Sequence, residues 1–180
     1  MPFGHGKKYL GNANRPLDYL IGGFQINTTT TWQSGLPFST NYNDCSQDND
    51  VGICRVIKVG SVSTGGGRNN YFTTLPFDAL SANGAIAGPY LRPGKDASFG
   101  DHRNDLTGPG FFTTDLALAK GFRFTERFNG QFRLDAYNVF NHVNLGQPNG
   151  CVDCNGAGTI SSLASNANMR RLQFGLRLEF

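Results

Sequence analysis

Apolar and polar residues alternate along four stretches of this chain. In Arg171-Leu172-Gln173-Phe174-Gly175-Leu176-Arg177-Leu178-Glu179-Phe180 the even positions are apolar and the odd ones are not. Strand side chains point to opposite faces with period two, so the stretch predicts a strand with one apolar and one polar face. Residues 23–34 repeat the pattern, with Phe24, Ile26, Thr28, Thr30 and Trp32 on one face and Gln25, Asn27, Thr29, Thr31 and Gln33 on the other. Four consecutive threonines there favour strand over helix. In 111–124 the even residues are mostly apolar, against Thr113, Asp115, Ala117, Ala119, Gly121 and Arg123. In 128–140, Phe128, Phe132, Leu134, Ala136 and Phe140 oppose Asn129, Gln131, Arg133, Asp135 and Tyr137. Lys120 is the exception on the apolar side; near an interface its stem would lie along lipid and its ammonium would reach water.

A soluble domain seldom leaves five large apolar side chains bare on one face, and lipid is one cover for them. Strands of about 9–11 residues with an apolar outer and a polar inner face build transmembrane β-barrels. Phe24 and Trp32, eight residues apart on a tilted strand, would stand roughly 20 Å apart along a barrel axis, near the height of an aromatic-girdled lipid band. The expected fold is therefore all-β: an antiparallel transmembrane β-barrel segment, about four strands of a larger barrel, with long external loops.

Parity also fixes a turn. Residues that pair across a hairpin share a face, so paired positions must sum to an even number. This predicts a three-residue loop, Thr125-Glu126-Arg127, with Phe124 facing Phe128, Phe122 over Gly130, Arg133 opposite Ala119 and Asp135 opposite Ala117. The connections 35–110 and 141–170 are long and irregular, punctuated by Gly65-Gly66-Gly67, Pro93-Gly94 and Gln147-Pro148-Asn149-Gly150. Barrels keep short turns on the periplasmic side and long loops outside, so the chain is expected to run up, down, up and down, ending at the periplasmic rim. Residues 1–21 read as a turn region.

Composition narrows the classes. The chain has 180 residues, 24 glycines, 15 phenylalanines and one tryptophan. Its mean hydropathy is −0.34, and no apolar run approaches the roughly eighteen residues of a membrane helix. A net charge of +3, without a basic block, excludes nucleic acid as the expected partner. Met1 to Lys8 carry no apolar signal-peptide core, so the expectation is the tail of a longer outer-membrane protein. Cys45, Cys54, Cys151 and Cys154 are paired locally in polar stretches, which fits two small disulfide loops in an oxidising compartment or simply free loop thiols.

Three stretches carry a family resemblance: Phe99-Gly100-Asp101-His102-Arg103-Asn104 followed by Gly108-Pro109-Gly110-Phe111-Phe112 and Asp115-Leu116; Arg133-Leu134-Asp135-Ala136-Tyr137-Asn138-Val139-Phe140-Asn141-His142; and Gln173 to Phe180. Together with Pro2 to Tyr9 and Trp32 to Phe38, these resemble the carboxy-terminal end of TonB-dependent outer-membrane receptors of the Oar-like type. Full-length members carry a carboxypeptidase-regulatory-like domain, a plug and a large barrel. The resemblance implies a barrel of about 22 strands, a Gram-negative outer membrane, and partners in lipid, the rest of the barrel and plug, the assembly machinery and TonB. It makes Gly175, Leu178 and Phe180 the signal read by that machinery; Phe174 stands where the family usually has a polar residue. The plug and the TonB-contacting segment have no counterpart in this stretch.

Asp115, Arg123, Gln131, Arg133, Asp135, Gln173, Arg177 and Glu179 fall on one face of successive strands and are expected to form a charged lumen wall rather than a catalytic set. Cys151-x-x-Cys154 lacks a second ligand pair at zinc spacing. His5, His102 and His142 read as loop histidines, and Gly65-Gly66-Gly67-Arg68 lacks a phosphate-loop ending. No enzyme activity, metal or cofactor is expected. The alternative is a secreted, disulfide-containing β-sandwich that binds carbohydrate or protein, whose apolar faces would pack together; a Cys/His metal enzyme is a weaker third reading.

Overall fold

The computed structural model describes residues 22–43, 54–94, 100–125 and 128–180. Among these residues the chain is all-β, in the order β1 (Phe24–Gln33), β2 (Pro37–Phe38), β3 (Ile57–Lys58), β4 (Ile86–Ala87), β5 (Tyr90–Leu91), β6 (Leu106–Thr107), β7 (Phe111–Arg123), β8 (Asn129–Tyr137) and β9 (Arg171–Glu179). The chain divides into two compact units. A sheet unit holds the described part of Met1–Trp32 with Phe112–His142 and Asn168–Phe180, and a loop unit holds Gln33–Phe111 and Val143–Ala167.

In the sheet unit the strand order is β1-β7-β8-β9, an up-and-down meander of the four long strands. The register follows parity: Phe122 pairs with Gly130, Ala119 with Arg133 and Ala117 with Asp135, and Phe124 N donates to Phe128 O at 3.1 Å. Glu126 and Arg127 lie outside the described residues. β9 continues the ladder, with Phe174 opposite Leu134 and Leu176 opposite Phe132. Every pair sums to an even number, so all even residues share one face.

One boundary differs from the sequence expectation. The third long strand stops at Tyr137 rather than at Phe140, because Asn138 takes a left-handed φ of 49° and Asn141 one of 52°. Asparagine tolerates that region through local hydrogen bonding. Asn138 is buried. Its Nδ2 donates to His142 O at 2.9 Å and to Asn168 O at 2.8 Å, and its Oδ1 accepts from His142 N. Asn141 Oδ1 accepts from Arg170 N at 3.1 Å. This pair of asparagines ends β8 and ties its exit to the entry of β9.

The loop unit corrects a second expectation. The described residues of 35–110 do more than connect two strands: with 143–167 they enclose a core. Val56, Leu80, Tyr90, Val152 and Ile160 are essentially solvent-free, with Phe72, Tyr42, Tyr71, Leu106 and Cys54 around them. The strands are only two residues long, pairing β2 with β6 and ordering β3-β5-β4. Elsewhere single bridges join the chain, Asn41 to Arg55 on one side and to Cys151 on the other. Gly35 sits against the carbonyl oxygen of Gly108, where a Cβ would collide with the backbone; the two passes of chain close on each other only because the residue is glycine.

In chain order the two segments of the loop unit fall between β1 and β7 and between β8 and β9.

Candidate functional site

The even face of the sheet is apolar and bare. Leu172, Phe174, Leu176 and Leu178 are 54, 65, 71 and 51% exposed. Cross-strand rows run Leu116–Ala136–Leu172, Leu118–Leu134–Phe174 and Phe122–Gly130–Leu178. The Phe124 ring lies over Gly130, 3.1 Å from where a Cβ would stand, so the missing side chain is replaced by an aromatic from the turn. The sandwich alternative needs these side chains packed together in an interior, and they are not.

Aromatic residues gather at the two ends of this face. At the hairpin end the Phe122 and Phe124 rings are 6.3 Å apart and Phe124 and Phe128 are 5.4 Å apart. At the other end Phe112 stacks on Phe140 at 6.3 Å and meets His142 edge-on at 5.7 Å. Phe112 and Phe122 are ten residues apart on one strand, about 25 Å along the normal for a strand tilted some 40°. That is the height of the apolar band of an outer-membrane barrel.

The few polar side chains on the even face of the four strands are satisfied within the sheet unit, as a hydrocarbon solvent demands. Thr28 Oγ1 donates to Asp115 O at 3.2 Å, and the Thr30 and Thr114 hydroxyls share a hydrogen bond of 3.1 Å. Lys120 does not extend freely to water. Its ammonium lies 3.8 Å over the Phe24 ring and 5.4 Å from that of Phe122, and donates to Gly22 O at 3.4 Å. Aromatic faces attract the charge, at the strand end where a barrel-borne lysine costs least.

The odd face is polar. Arg133 stands between Ala119 and Gly175, Asp135 between Ala117 and Gln173, and Gln131 between Gly121 and Arg177. Small neighbours leave room for two ion pairs along the strands: Arg133 Nε donates to both Asp135 carboxylate oxygens at 3.0 and 2.9 Å, and Arg177 meets Glu179 at 2.8 Å. Arg123 pairs with Asn129, which also opposes Glu179. Asp115 Oδ1 accepts from Asn138 N at 2.9 Å, capping the β7–β8 ladder. Gly175 lies mid-strand opposite Arg133, Leu178 opposite Gly130, and Phe180 follows β9, fully exposed.

The loop unit centres on a residue the sequence did not single out. Asp153 is completely buried. Its Oδ1 accepts from Asn43 N at 2.7 Å, its Oδ2 from Leu80 N at 3.0 Å, and its carbonyl from Asp78 N at 2.9 Å. One carboxylate thus gathers segments 110 and 73 residues away. Its only sequence signal is its place inside Cys151-x-x-Cys154. Those cysteines form a disulfide, with Cα atoms 5.5 Å apart. The sulfurs and the Asp153 carboxylate lie within 4.8 Å of one another, but a bridged pair has no thiolate to offer a metal. Cys54 is also disulfide-bonded; Cys45 and His5 lie outside the described residues. His102 is exposed on a turn, its N–H donating to Asp101 Oδ1.

Two phenols pack in the same unit. Tyr90 OH donates to Thr73 O at 2.6 Å; burial, with a lesser push from the negative Asp105, raises its pKa well above the ordinary 10. Tyr71 OH donates to Thr107 O at 3.2 Å, and burial raises its pKa too. Lys58 Nζ lies 3.0 Å from Asp105.

An antiparallel meander with one bare apolar face, aromatic clusters at both ends and charge behind is the architecture of a membrane-spanning barrel wall. A family model described as outer membrane beta barrel domain matches residues 1–173, and the chain belongs to that family. No curated protein and no solved structure matches it. The family places the chain in the outer membrane.

Proposed function

We propose that this chain supplies part of the wall of a TonB-dependent receptor of the Oar-like type, without enzymatic activity of its own. The observation that carries the reading is the sheet itself: four strands, bare toward hydrocarbon on one face, with no strand paired to the outer edge of β1 or β9 among the described residues. A membrane barrel needs at least about eight strands, and an unpaired edge cannot stay in lipid. The wall must therefore be completed by further strands, which suits the large barrel implied by Phe99 to Leu116, Arg133 to His142 and Gln173 to Phe180. In this reading the odd face lines a wet lumen filled by a plug, and the loop unit stands outside the cell, where it binds or admits the ligand. Gly175, Leu178 and Phe180 engage the assembly machinery, and energy reaches the barrel through TonB.

Cross-linking in cells that make the whole protein tests the coupling. Recovery of TonB with the membrane-inserted protein is the expected result. A correctly inserted protein never found with TonB, with or without ligand-containing medium, overturns the receptor reading while leaving the barrel wall in place.

A further inference from the structure

We propose that the loop unit is a substrate of a thiol–disulfide oxidase, and that forming the Cys151–Cys154 bridge locks the unit shut by seating Asp153. Gly150 to Cys154 runs through the middle of the unit. Asn41 N donates to Gly150 O, Val152 N to Asn41 O and Leu75 N to Val152 O, at 2.8 to 3.0 Å. On its other side Asn41 bridges Arg55, next to the disulfide-bonded Cys54. Both cysteine-bearing segments therefore meet at one residue.

A bridge spanning three residues removes little chain entropy, since that term grows with loop length. Its effect is local: it fixes the turn that aims the Asp153 carboxylate at the N–H groups of Asn43 and Leu80. Without that turn, closure of the core would strip water from a carboxylate whose donors were not yet in line, which is strongly unfavourable.

Access sets the order of events. Cys151 is 3% exposed in the finished unit and Cys54 6%. Thiol–disulfide exchange needs an in-line approach to sulfur, so oxidation comes before the core closes. While the unit is still open, the Cys154 thiolate attacks the oxidase disulfide, forming a mixed disulfide and releasing one oxidase thiolate. The Cys151 thiolate then attacks Cys154 Sγ and expels the second. The chain loses two electrons and two protons; the oxidase gains both as a dithiol. An outer-membrane protein passes through the periplasm, where such oxidation is catalysed.

The test compares the whole protein in cells with and without the periplasmic oxidase. Without it, a maleimide is expected to label Cys151 and Cys154 in newly made protein, and protease to cut the loop unit at least about ten times faster; added cystine should reverse both. In the double variant Cys151→Ser/Cys154→Ser the loop unit should be cut as fast while β7–β9 stay protected in the membrane. Asp153→Asn should open the unit without exposing a thiol. Bridge formation at the normal rate without the oxidase overturns the partner. Unchanged proteolysis of either variant overturns the lock. Should the variants not reach the membrane, dithiothreitol on the assembled wild type decides: attack at the outer sulfur, Cys154, must expel a Cys151 thiolate beside the buried Asp153 carboxylate, so resistance until mild denaturant is added is expected, and rapid reduction in plain buffer refutes the lock.

Discussion

In the loop unit Val56, Leu80, Tyr90 and Val152 lose all contact with solvent; in the sheet unit Leu172, Phe174, Leu176 and Leu178 keep half or more of theirs. Both sets are large apolar side chains in one chain. The loop unit is closed by the ordinary hydrophobic effect, reinforced by buried polar anchors such as Asp153 and a disulfide. The sheet unit has almost no interior: Ala136 alone among its described apolar residues is buried. Its strands are held by ladder hydrogen bonds and cross-strand contacts such as Phe132 with Phe174, 6.2 Å between ring centres. It is finished only by a solvent of the right kind, so the two units should answer differently to the same insult.

The largest expected effect is at Asp153. Asp153→Ala orphans two buried N–H groups, and about 3–5 kcal/mol should be lost, read as faster hydrogen exchange at Asn43 and Leu80 with β7–β9 unchanged. Leu80→Ala should cost about 2–5 kcal/mol by leaving a cavity, visible as the same local exchange in detergent and in lipid. The sheet reverses that indifference to solvent. Phe174→Arg, in the middle row of the even face, should cost about 2–4 kcal/mol in a bilayer, measured by denaturant unfolding from vesicles. Gln173→Arg next to it on the odd face should stay within about 0.5 kcal/mol. Equal costs at 173 and 174 would erase the distinction between faces.

Alkali should separate the units more gently. Tyr90 and Tyr71 hold their protons more tightly folded than unfolded. Their contribution is complete below pH 10, the ordinary phenol value, and is lost as pH rises from there towards the folded values. The loop unit should therefore loosen above about pH 10, followed by tyrosinate absorbance, and Tyr90→Phe should blunt that sensitivity. The smallest effect is expected at Arg177→Gln, which breaks an exposed pair with Glu179; about 0.5 kcal/mol or less should change in thermal unfolding.

How much of this was legible in the sequence follows the same division. The sheet is written in period two, and parity was enough to place Phe122 over Gly130 and Arg133 opposite Ala119, because those relations are local in sequence. The end of β8 is not legible in the pattern, since the alternation runs on through Phe140 while Asn138 bends the backbone away. The loop unit has no period to read: its strands are two residues long, and its anchors join Asn43 to Asp153 across 110 positions. The Cys-x-x-Cys pair was visible, but not the buried carboxylate between its sulfurs.

The loop unit draws its interior from two separate insertions, 33–111 and 143–167, and neither carries a complete set of partners. Asn43 and Leu80 come with the first, Asp153 with the second. A recombination event that exchanged one insertion for a foreign sequence would strand donors without their acceptor, or the reverse. The two stretches should thus be inherited, diversified and grafted as a pair, although some thirty residues of an unrelated ladder separate them along the gene.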